Sequence, residues 1–73
     1  MELRFVTVAD GRLLSLATVG PDDTATYGGD SPDIAQGAVR RYRLRNPDAS
    51  EADAVRALAR DGWSNGYVMV QLD

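Results

Sequence analysis

Hydrophobic and polar positions alternate along both ends of this chain and recur at helical spacing in its middle, and that change of period divides it into elements. Leu3 to Val8 and Leu13 to Val19 are apolar and rich in β-branched residues, with Ala9-Asp10-Gly11-Arg12 between them. Asp-Gly supplies two residues tolerant of positive φ, as a type I′ turn requires, so residues 1–19 are expected to form a β-hairpin. With Asp10 and Gly11 as the loop, Val8 faces Leu13, Phe5 faces Leu16 and Leu3 faces Thr18. One face then carries Leu3, Phe5, Leu14 and Leu16, and the other carries Val6, Val8 and Leu13. A one-residue bulge would reverse the second strand's set.

Residues 20–32 hold Asp22, Asp23, Gly28, Gly29 and Asp30 with little apolar content besides Tyr27, and read as an acidic loop. A helix pair is expected over residues 33–61. Ser31 can cap the first helix, Pro32 suits its first position, and Asp33 favours its positive end. Ile34, Ala35, Ala38, Val39 and Tyr42 form its apolar stripe, Gly37 is a weak point, and Asn46-Pro47 ends it. Ser50 starts the second helix with Asp53 as a capping-box acid. Its inner face is Ala52, Val55, Leu58 and Ala59, and Gly62 is expected as a left-handed cap. Trp63 follows, Ser64-Asn65-Gly66 is a turn, and residues 67–72 alternate as a final strand. The expected fold is therefore α+β in the order ββααβ: one domain, with a three-stranded sheet packed on two helices. Its core should hold Leu3, Phe5, Leu14, Leu16, Val39, Tyr42, Val55, Leu58 and Val70.

Composition narrows the chemistry. The 73 residues include no histidine, cysteine or lysine, so imidazole acid–base catalysis, thiolate attack and Schiff-base formation are excluded. Thr24, Thr26, Ser64 and the tyrosines lack a base other than carboxylate. The chain is read as no enzyme, and no cofactor is expected. Asp22, Asp23, Asp30 and Asp33 do not follow an EF-hand: a loop starting at Asp22 would place Tyr27 where glycine is needed. No metal site is assigned.

Eleven acids against eight bases give a net charge of −3. That balance favours solubility and disfavours polyanion binding. All eight bases are arginine beside ten alanines, which reads as GC-rich coding, so the expected source is a high-GC bacterium, its phage or a mobile element. No long apolar run follows Met1-Glu2-Leu3-Arg4, so neither a signal peptide nor a membrane span is expected and the chain reads as cytoplasmic.

Two function classes follow. The first is a small non-catalytic protein-interaction or regulatory module. Trp63, Asn65 and Tyr67 set amphipathic rings beside a tight turn, and Val6, Val8 and Leu13 form a sheet face that two helices on the other side cannot cover. A chain this small buries only about 60% of its unfolded surface, so a homodimer is expected, with a further protein partner as the other way to cover the face. The alternative is a nucleic-acid-binding module using Arg40, Arg41, Arg43 and Arg45 around Tyr42. A helix-turn-helix is disfavoured, because Glu51, Asp53 and Asp61 on the second helix would be repelled by the groove it must enter.

Overall fold

The alternating segments Glu2–Thr7 (β1) and Leu13–Val19 (β2) pair antiparallel in a computed structural model that describes residues 1–72. Their register differs from the expected one. Leu3 faces Ala17 and Phe5 faces Ser15, but Val6 faces Leu13, which leaves Leu14 as the extra residue of a β-bulge. The bulge sends Ser15, Ala17 and Val19 into the core beside Leu3 and Phe5, and moves Leu16 to the opposite face. Leu14 is half-buried against the core.

The turn is also longer than two residues. Only Gly11 has positive φ in it, at +71°, whereas a type I′ turn needs two such residues. Thr7 N–H donates to Arg12 O and Gly11 N–H to Thr7 O, each at 2.9 Å. The Asp10 carboxylate accepts from the Thr7 hydroxyl and from Arg12 N–H, which holds its pKa below the usual carboxylate value. These side-chain bonds stabilise an open four-residue loop that carries Val8 out of the strand.

Residues 20–32 contain a strand, Ala25–Gly28 (β3), paired with β2 through Thr18↔Thr26 and Ala17↔Tyr27. With Val68–Leu72 (β4) on the other side of β1, the sheet has four antiparallel strands rather than three, in the order β3-β2-β1-β4. The connection between β2 and β3 is tight. Asp23 adopts φ +66°, a conformation that Asp tolerates better than most residues, and Asp22 Oδ1 accepts from Thr24 N–H at 3.2 Å.

The helices Pro32–Arg45 (α1) and Glu51–Asp61 (α2) both lie on one face of the sheet, so the element order is βββααβ. Leu3, Phe5, Ala17, Val19, Val39, Val55 and Leu58 are buried between the layers, and Ala35, Ala38, Ala52 and Ala54 let the backbones approach. Tyr42 and Val70 pack half-buried at the margin of this core. None of the described helices is long and apolar enough to cross a membrane.

α2 starts as its sequence dictates: Ser50 Oγ accepts from Asp53 N–H at 3.0 Å while Ser50 N–H donates to the Asp53 carboxylate at 3.2 Å. Gly62 then takes φ +81° with ψ 160°, an extended ψ rather than that of a left-handed helical cap, and the chain leaves α2 directly toward Trp63. α1 starts differently. The Ser31 side chain makes no cap; Ser15 Oγ, fully buried on β2, accepts from Ala35 N–H at 3.0 Å. Ser31 N–H in turn donates to Leu14 O at 2.8 Å, so the bulge and the helix start are one hydrogen-bonded unit. Ser15→Ala would leave the Ala35 N–H buried and unpaired, and should cost about 1–3 kcal/mol. Urea melts should show a lower midpoint at unchanged slope; an unshifted midpoint would remove Ser15 from this role.

Candidate functional site

The face of the sheet away from the helices carries Glu2, Arg4 and Val6 of β1, Leu13 and Leu16 of β2, and Met69 and Gln71 of β4. Val6 lies at its centre, opposite Leu13 on one side and Met69 on the other, and no accessible surface is left on it. Leu13, Leu16 and Met69 are half-buried around it. At the loop end, Val8 N–H donates to Tyr67 O at 2.8 Å, which sets Val8 and Tyr67 side by side, 47% and 82% exposed. The apolar stripe thus runs off the sheet into two exposed side chains. Leu16 and Met69 belong to this surface but were not expected there. The bulge that places Leu16 has no local sequence signal.

Trp63 and Asn65 sit elsewhere, at the end of α2. The Trp63 ring meets Phe5 edge-on, with centroids 5.5 Å apart and planes at 63°. Asn65 Oδ1 accepts from Tyr67 and Val68 N–H at 2.9 and 2.8 Å, so its side chain builds the turn that returns the chain into β4. Val70 N–H donates to Trp63 O at 3.1 Å. This segment therefore covers the outer edge of β4.

The four arginines of α1 are divided between two sides of the helix, since the mean direction of residues 40 and 43 lies about 150° from that of 41 and 45 at 100° per residue. Arg40 and Arg43 border a hollow of about 320 Å³ with Tyr27 and Glu51. There Arg43 Nε donates to Ala49 O at 3.0 Å and Arg43 lies 3.8 Å from the Glu51 carboxylate. Arg41 and Arg45 instead adjoin Tyr42 and Trp63. Two of the six expected protein-binding residues, Trp63 and Asn65, and two of the four expected nucleic-acid-binding arginines thus meet at one place.

Around Glu51, the Tyr27 hydroxyl donates to Oε2 at 3.2 Å. Burial, then the Glu51 charge and this bond, push the Tyr27 pKa from 10.0 up to about 12. A raised pKa means the folded state favours the neutral phenol. The stability this adds is complete below pH 10 and is lost as the pH rises toward 12. Phenolate absorbance should show a step near pH 12, and Tyr27→Phe should remove that step. An alkaline absorbance step near pH 12 that survives Tyr27→Phe would contradict the contact.

The loop acids are tied into the fold: Asp22 braces its turn and Asp23 pairs with Arg56, which also lies 3.5 Å from Asp53. Among the described residues, no group of three or more His, Cys, Asp or Glu converges as a metal site. No family model, curated protein or solved structure matches the chain.

Proposed function

We propose that the chain is a small non-catalytic protein-interaction or regulatory module that works as a homodimer, joined through the uncovered face of its sheet. One observation carries this reading: both helices lie on the same side, while the half-buried Leu13, Leu16 and Met69 line the other around Val6, which is itself fully buried and offers no contact surface. An apolar sheet face with no helix over it marks an interface. A second copy suits it. The charged side chains of this face, Glu2 and Arg4 on β1, are one of each sign, so a two-fold axis need not oppose like charges. Val8 and Tyr67 would extend the contact at the loop end. The acidic, cysteine-free composition fits a cytoplasmic regulator from a high-GC bacterium, phage or mobile element.

Light scattering at micromolar concentration should give twice the chain mass. Leu16→Glu combined with Met69→Glu should give a monomer with the parent's circular dichroism. A parent that stays monomeric at high concentration would sink the dimer. The nucleic-acid reading has less support, because Arg40 and Arg43 point away from Arg41 and Arg45 and the net charge is −3.

A further inference from the structure

On the helix side, two adjoining hollows of about 210 and 160 Å³ share Ala38, Arg41 and Trp63, and together make a groove along α1 from Asp33 to Arg45. Trp63 and Asn65 form its other wall. Three features of this groove are not required by the fold. Arg41 and Arg45 stand one turn apart, a repulsive spacing, and among the described residues neither has a carboxylate partner, whereas Arg43, Arg56 and Arg60 each do. Gly37 weakens the middle of α1, yet a Cβ there would meet nothing within 4 Å, so no packing contact in this chain asks for glycine. Trp63, edge-on to Phe5, lines both hollows with the rest of its ring.

We propose that this groove docks a short acidic peptide segment of a partner protein. Its carboxylates pair with Arg41 and Arg45, and an apolar side chain beside them packs on Trp63 and Ala38 in the space left open at Gly37. The groove is polarised, cationic at Arg41 and Arg45 and anionic at Asp33. A peptide can match both ends. A continuous phosphate backbone laid along the same path would bring anionic charge onto Asp33, which favours peptide over nucleic acid. The site lies across the molecule from the proposed dimer face and rests on different residues, so either can fail alone.

Trp63 is the sole tryptophan, so its emission reports occupancy directly. The probes are a short end-blocked peptide of glutamates and leucines, its lysine–leucine counterpart, and a thymidine oligonucleotide. The acidic peptide should change Trp63 emission saturably. Arg41→Ala with Arg45→Ala should weaken that binding by about tenfold or more, the effect of losing charge-assisted contacts. Gly37→Leu should fill the groove and abolish binding while circular dichroism stays that of the parent, and Arg40→Ala should leave binding unchanged. No saturable response of the parent to the acidic peptide would overturn the proposal. So would an equal response to the lysine–leucine peptide, or tighter binding of the oligonucleotide.

Discussion

Phe5→Ala is expected to leave the chain at the edge of unfolding. Phe5 has no accessible surface, sits on β1 in the interior of the sheet opposite Ser15 and Val70, and supports the edge of the Trp63 ring. Removing a buried phenyl ring costs about 3–5 kcal/mol, against a total of about 5–15 kcal/mol for a folded domain. A chain this short belongs toward the lower end of that range. Two readouts check the result together. The urea midpoint should fall sharply, and Trp63 emission in the remaining folded fraction should shift red as its buried edge becomes wet. A variant that melts with the parent would place the centre of the core elsewhere.

The second large effect is expected at Gly29. Its φ is +89°, and a Cβ there would lie 2.9 Å from Leu14 O and 3.1 Å from Ser15 Cα, both backbone atoms of the bulge that cannot swing aside. Gly29→Val carries about 1–3 kcal/mol of backbone strain. It must also displace Leu14 O, which accepts from Ser31 N–H at 2.8 Å, and that adds about 1 kcal/mol. Gly11→Val is the comparison. Gly11 has φ +71° but open space around its Cβ position, so it bears the strain without the collision. Denaturant melts should rank Gly29→Val as the less stable of the two, and the opposite order would mean that the bulge can relax around a side chain.

The Gly29 prediction depends on the bulge at Leu14, which marks where the sequence stops being legible. Leu3 and Phe5 are legible as core because they alternate with Glu2 and Arg4 in the first part of β1. The sequence pattern puts Leu16 on the wrong face, because a one-residue slip reverses a strand's faces and no residue near Leu14 announces it. What stabilises the bulge is distant in sequence: Ser31 N–H on Leu14 O, and Ala35 N–H on Ser15 Oγ. Ala25–Gly28 escaped notice for a related reason. Four residues flanked by glycine and aspartate have no periodicity to read, and they form a strand because the free edge of β2 supplies their hydrogen bonds.

The same contrast holds for the candidate surfaces. Trp63, Asn65 and the arginines were recognisable as residue types suited to binding. Only the crossing of α1 past the end of α2 brings Arg41 and Arg45 to Trp63 and sends Arg40 and Arg43 toward Glu51.

What the sequence determined by itself lies within a few residues of its cause: the capping box from Ser50 to Asp53, the end of α1 at Asn46-Pro47, the apolar stripes of both helices, and the existence of the hairpin. These depend on backbone conformation and on side chains within about one turn of each other, which spacing alone encodes. The tertiary structure decided the register of β2, the fourth strand, the cap of α1 and the meeting of arginine with tryptophan. Each depends on which distant backbone groups find partners, and that is settled only when the sheet and helices close around one core.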